Sequence, residues 1–172
     1  MWQTQDTSCK FYEKKDTGIA YKIVNNGEHK GIILSNKLKR ELDYKINTHK
    51  NYAKLYAICI FYLIKDNLDD FDILVICGDE HFNKVRKNLD ILFYGNKQYQ
   101  IKEIISIGEL RNITGNNKLK SYADNISNIY RKKGFKSLQR RQKGIKLNII
   151  SLSYNLLINR WCILEDEVKS KM

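Results

Sequence analysis

The chain contains no proline and only 9 glycines among its 172 residues, so no flexible linker divides it. No window of about 18 apolar residues is free of charge, which excludes a transmembrane helix from the expectations. The opening residues, Met1-Trp2-Gln3-Thr4-Gln5-Asp6, lack the apolar core of a signal peptide. Cysteines are few and scattered: Cys9, Cys59, Cys77 and Cys162 show no CxxC spacing. Cys59 and Cys77 fall inside apolar runs. They read as small core residues of a protein kept in the cytoplasm or another reducing intracellular compartment, ahead of zinc ligands or disulfide partners. The length suits one domain with a sizeable core, or one domain with an appendage.

Acid is scarce in one region above all. Between Arg111 and Lys146 stand eleven Lys or Arg residues and a single acid, Asp124, whereas the chain as a whole has 31 basic and 19 acidic residues and a net charge of +12. The rest of the chain is close to balanced. A basic block on an otherwise mixed surface points to a polyanion, nucleic acid first. A solvated lysine-rich tail is the plain alternative. An anionic membrane is disfavoured, because the block has few anchoring aromatics beyond Tyr130 and Phe135.

What is present in strength is a buried-strand signal. Phe71-Asp72-Ile73-Leu74-Val75-Ile76-Cys77-Gly78-Asp79 holds a mostly β-branched apolar run, the pattern of a strand covered on both faces. Before it, Trp2 to Asp6, Thr17 to Val24 and Lys30 to Ser35 read as strands. Asn26-Gly27 between the last two favours a type I′ hairpin. Asn36 to Lys50 reads as a polar connection. Asn51 to Ile64 (NYAKLYAICIFYLI) is apolar nearly all round, as a central buried helix is. His81 to Phe93 predicts a helix, Gln100 to Ile107 a fifth strand, Arg111 to Lys118 a loop, and Leu119 to Tyr130 a helix. The apolar stretch within Lys143 to Leu164 predicts one more helix, suited to packing on the domain or to self-association.

Three isolated aspartates fall at informative places in that order. Asp6 closes the first strand, Asp79 closes the fourth, and Asp124 lies on the helix after the fifth. In a meander followed by βαβ, the first and fourth strands are parallel neighbours with adjacent C-terminal ends. Carboxylates held close repel unless a cation sits between them. Mg²⁺ binds through one or two carboxylates, water and substrate phosphate, and paired metals clamp the attacking and leaving oxygens of a phosphodiester.

With these elements in this order, residues 2–130 resemble the ribonuclease H family. The family's Asp-Gly-Ser and later Gly-Ile-Gly-Tyr are similar to Asp6-Thr7-Ser8 and Gly18-Ile19-Ala20-Tyr21. Its central helix, opening Thr-Asn-Asn and continuing Ala-Glu-Tyr-x-Ala-Leu, is similar to Thr48-His49-Lys50-Asn51 and Ala53-Lys54-Leu55-Tyr56-Ala57-Ile58. Gly-Asp-Ser is similar to Gly78-Asp79-Glu80, and Asn-x-x-Ala-Asp-x-Leu-Ala to the segment around Ala123-Asp124, with Asn116 or Asn117 displaced upstream.

The resemblance implies an α/β, ribonuclease H-like five-stranded mixed sheet flanked by helices (residues 1–130); past it, the basic and apolar stretches read as a basic, helical C-terminal extension (131–172) packed on the same domain. It implies an endonuclease that cuts the RNA strand of RNA–DNA hybrids with Mg²⁺ or Mn²⁺ held by Asp6, Asp79 and Asp124. One departure stands out. Lys54 occupies the position of the family's metal-binding Glu, and a charged lysine cannot ligate a cation. It would take a cation's place against a phosphate, or form a salt bridge with the acids. Glu41, Glu80 and Glu109 are candidates for a relocated fourth ligand, Glu80 first because it adjoins Asp79. His81 would lie at the rim. The family loop that carries a product-releasing His corresponds to Arg111–Lys118, which has none, and Asn112, Asn116 and Asn117 cannot move protons. Lys132, Lys133, Lys136, Arg140 and Arg141 are the expected contacts to a phosphate backbone. A catalytically impaired nucleic-acid-binding or assembly module is the alternative reading.

Overall fold

In a computed structural model of the chain, the described residues are 2–7, 11, 13–23, 28–68, 72–76, 81–94, 103–118, 123, 126–132 and 149–169. They form an α/β structure around one mixed sheet. β1 (Trp2–Thr7), β2 (Thr17–Ile23) and β3 (His29–Leu34) run antiparallel in sequence order. β4 (Ile73–Ile76) then joins β1 in parallel, and β5 (Glu103–Ser106) joins β4 in parallel. The expectation of five strands is corrected by a sixth. β6 (Ile149–Ile150) lies parallel to β3 at the far edge, giving the order β5-β4-β1-β2-β3-β6. The stretch predicted to be one helix therefore divides. Ile149 and Ile150 complete the sheet, Ser151–Ser153 break the run, and α6 (Tyr154–Lys169) follows. The Ser153 hydroxyl accepts the Leu156 N–H at the start of that helix, the role that serine takes at an N-cap.

Strand alternation sorts the core onto two faces. Leu74, Ile76 and Ile104 join Ile19, Tyr21, Ile23, Ile32 and Leu34 in the larger core. Val75 and Ile105 join a smaller one with Ile107 and Leu110. β4 is thus covered on both sides, the reason its sequence is apolar without alternation. On the larger face lies α2 (Tyr52–Ile64), capped by the Asn51 side chain, which accepts the Lys54 N–H. Every residue from Ala53 to Ile64 is buried. A helix on one sheet face ordinarily keeps a wet side. Here α3 (Phe82–Tyr94) packs beside α2, and α6 covers it with Leu157, Trp161 and Leu164.

Two helices stand where the sequence suggests connections. α1 (Asn36–Ile46) is capped by Ser35, whose hydroxyl accepts the Leu38 N–H, and buries Leu42. It also buries Lys39, whose ammonium donates to Glu13 O and Thr17 Oγ1. A lysine that buries its stem this way disguises an amphipathic helix as a polar stretch. On the smaller face, α4 (Ile107–Thr114) begins in a capping box between Ser106 and Glu109 and ends at Gly115 in the left-handed region. Also behind the sheet is a helix over 126–132, here α5. Gly18 and Gly31 admit it: a methyl at 18 would strike the Ser127 carbonyl, and one at 31 the Tyr130 ring. The close approach requires glycine at both positions.

The predicted Asn26–Gly27 turn and the 119–122 part of the predicted helix lie outside the described residues. Among the described residues, no helix is long and apolar enough to cross a membrane.

Candidate functional site

The parallel pairing of β1 with β4 brings two strand exits side by side. Gln5 stands opposite Ile76, so β4 ends beside the residue that precedes Asp6. Asp6, paired with Ala20 on its other side, is the penultimate residue of β1. Asp79 and Glu80 lie outside the described residues, as does Asp124, although its neighbour Ala123 is fully buried. Among the described residues, no group of three or more His, Cys, Asp and Glu side chains forms a metal site. Glu109, a candidate for the relocated ligand, spends its carboxylate on its own helix, accepting the Ser106 N–H at 2.6 Å. Glu41 lies exposed on α1.

Lys54 is 7 % exposed and is held by α6. Its ammonium stands 3.5 Å from Glu165 Oε1 and 4.6 Å from the centre of the Trp161 ring. Trp161 Nε1–H donates to the same carboxylate oxygen at 2.9 Å. The three side chains form a closed set in which the lysine's charge meets a carboxylate and a π face. This clamps the first turn of α2 to the last turns of α6.

The starts of α3 and α4 bound a cleft of about 620 Å³. It is lined by His81, Phe82 and Lys84 from the start of α3, and by Ser106, Gly108 and Arg111 from the end of β5 and α4. The two helices lie on opposite faces, α3 toward the core containing Leu74 and Ile76, α4 toward the one containing Val75 and Ile105. Crevices of this kind, beyond the C-terminal ends of parallel strands that diverge, are where open α/β sheets bind ligands. His81 adopts φ +55°, and its carbonyl accepts the Lys84 and Val85 N–H groups to begin the helix. The sequence points to His81 at a rim but gives no such sign for Ser106 and Arg111. One local signal does exist, the Ser-x-x-Glu spacing of Ser106 and Glu109, which marks a helix start.

Behind the sheet, His29 Nδ1 lies 3.0 Å from the Tyr130 hydroxyl, with the rings edge to face. Burial, and then the charge of Lys22, lower the imidazole pKa below 6.5. Lys132 is exposed at the end of α5. Lys133, Lys136, Arg140 and Arg141 lie outside the described residues. Cys59 is buried, and burial pushes its thiol pKa up. Cys162 is exposed on α6; Cys9 and Cys77 lie outside the described residues.

Compared with protein-family models, curated proteins and solved structures, the chain matches none of them.

Proposed function

We propose that this chain is a metal-dependent endonuclease of the ribonuclease H type, acting on the RNA strand of RNA–DNA hybrids. The observation that carries the reading is the arrangement of β1 to β5. An antiparallel meander is extended in parallel from β1 by β4 and β5, so the exits of β1 and β4 adjoin. Asp6 stands at one exit, and the chain runs on from the other toward Asp79. The candidate donors, Asp6, Asp79, Asp124 and Glu80, are all carboxylates, a set that suits Mg²⁺ or Mn²⁺ rather than a softer metal. A divalent ion held there supplies Lewis acidity and an activated water for in-line attack on a phosphodiester. The protein's own part is to hold the strand: the basic segment beginning at Lys132 neutralises phosphates without reading sequence.

The partners of Lys54 favour a second reading. At the position where the resemblance implies a metal-binding Glu, this chain has a lysine engaged by Glu165 and Trp161. A module that binds nucleic acid with cleavage weakened or lost fits that substitution.

A labelled hybrid incubated with Mg²⁺ or Mn²⁺ separates the two. The nuclease reading expects cutting of the RNA strand that depends on metal and falls to background in Asp6→Asn and Asp79→Asn, with hybrid binding retained. Binding without cutting by the parent selects the second reading. Absence of both overturns the proposal.

A further inference from the structure

We infer that the outer face of α1, with the loop beside its start, is a docking surface for a single-stranded nucleic-acid segment. A base of that segment stacks on Tyr44, and its phosphates lie along the flanking cations. The inference rests on the nucleic-acid reading above for the ligand's class and deepens it by naming a part of the ligand, an unpaired flank. It requires neither metal nor cutting.

The first ground is the geometry of the helix. Lys39 and Leu42 are buried, and Leu38 and Ile46 pack against the larger core. At about 100° per residue, Lys37, Arg40 and Tyr44 fall within about 60° of arc on the side opposite Leu42. All three are exposed. Spacings of three and four residues make them neighbours along one stripe, which runs about 10 Å along the helix axis.

The second ground is Tyr44 itself. It is 85 % exposed, the most open of the large hydrophobic side chains among the described residues. A single exposed apolar side chain is ordinary, but this one stands among cations. Lys45 Nζ lies 5.8 Å from the centre of its ring, at the outer reach of a cation–π contact, and Arg40 precedes it by one turn. An aromatic ring that stacks a base, set between cations that neutralise phosphates, is the combination by which proteins hold single strands.

The third ground is charge. From Lys37 to Lys50 the exposed cations are Lys37, Arg40, Lys45 and Lys50, against Glu41 as the exposed acid. Asp43 is occupied, because one of its oxygens accepts the Thr48 hydroxyl and the His49 N–H and contacts the His49 ring. Two further cations arrive from outside the helix. The Asn36 N–H donates to Asp16 Oδ1, and the Lys39 ammonium donates to Glu13 O, both at 2.8 Å. These bonds tie residues 13–16 to the start of α1, and Lys14 and Lys15 between them are exposed. Cations gathered in this way favour a polyanion, and the open ring favours one whose bases are unstacked.

The test measures fluorescence anisotropy without divalent metal on a blunt RNA–DNA hybrid, the same hybrid with a single-stranded overhang, and the free single strand. The overhang is expected to tighten binding. Tyr44→Ala is expected to weaken binding of the overhang probe and of the single strand about tenfold, with the blunt hybrid nearly unchanged, and Tyr44→Phe to bind as the parent does. Lys37→Gln and Arg40→Gln should each lower the salt slope for the single strand by about 0.7. Lys87→Gln, at an exposed position on α3, should leave it unchanged. Circular dichroism of each variant establishes folding. An overhang without effect, or single-strand affinity unchanged in Tyr44→Ala, overturns the inference even if the blunt hybrid is bound and cut. Weakening by Lys37→Gln and Arg40→Gln without any by Tyr44→Ala, the pattern of a surface that meets an acidic protein by charge alone, also overturns it, as does an equal loss in Lys87→Gln. An overhang effect that depends on Tyr44 in a parent that cuts nothing upholds the inference while the nuclease reading falls. Binding of none of the three probes overturns both.

Discussion

At the scale of single residues, the back of the sheet is tuned by His29. Its imidazole sits against Tyr130, which in turn rests on Gly31, and Lys22 stands opposite His29 across the β2–β3 ladder. Burial and that lysine disfavour the imidazolium, so the folded-state pKa lies below 6.5. As pH falls through 6.5, the unfolded chain takes up a proton that the folded chain resists. Stability therefore drops below that pH, the drop being complete once the folded imidazole also protonates. Above 6.5 the group contributes no pH dependence. Urea midpoints measured across this window should fall on acidification, and His29→Gln should flatten that part of the profile. A profile identical in parent and variant would contradict the assignment.

At the scale of elements, α6 decides how α2 is buried. A helix apolar on every side needs cover on every side, and the sheet and α3 leave one flank open. Trp161 closes it, 3 % exposed and reaching Glu165 and Lys54. Trp161→Ala should cost about 3–5 kcal/mol in chemical denaturation, the range for deleting a large buried aromatic. Lys54→Met should stay within about 1 kcal/mol of the parent, because an aliphatic chain of similar length fills the same space and leaves Glu165 on the half-exposed side of the pair. A large destabilisation by Lys54→Met would mean that the charge pair, rather than packing, holds α6 in place. Helices α1 and α4 teach a related lesson. Each is hard to see in the sequence because its inward face is short: Leu42 beside the buried stem of Lys39 in one, Ile107 and Leu110 in the other. Their caps, Ser35 and the Ser106–Glu109 pair, carry more information than their hydropathy.

At the scale of the whole molecule, the charge is unevenly divided along the sequence. Lys84 and Arg111 line the cleft at the starts of α3 and α4, whereas the dense basic block begins at the end of α5 with Lys132. If that block follows a phosphate backbone, replacing Lys132, Lys133 and Lys136 together with Gln should lower the salt slope of hybrid binding by about 2–3, since each phosphate left without its cation removes about 0.9. Affinity for different hybrid sequences should fall alike, because phosphate-directed cations position a strand without reading it. A sequence-selective weakening would argue for recognition of base edges instead.

The strands and the central helix are legible in the sequence because burial writes itself locally: β4 in an unbroken apolar run, α2 in apolar residues on every face. The covering of α2 by α6 and the seating of Ile149 and Ile150 beside β3 are not, since both depend on partners more than ninety residues away. The sequence by itself determined where buried elements lie, the basic imbalance after Arg111, and the order of the three candidate aspartates. Only the tertiary structure decided that Lys54 faces Glu165 and Trp161, and that His81, Lys84 and Arg111 share one cleft. Those meetings arise because helices leave the sheet toward opposite faces and return from a distance, and no local pattern of residues encodes them.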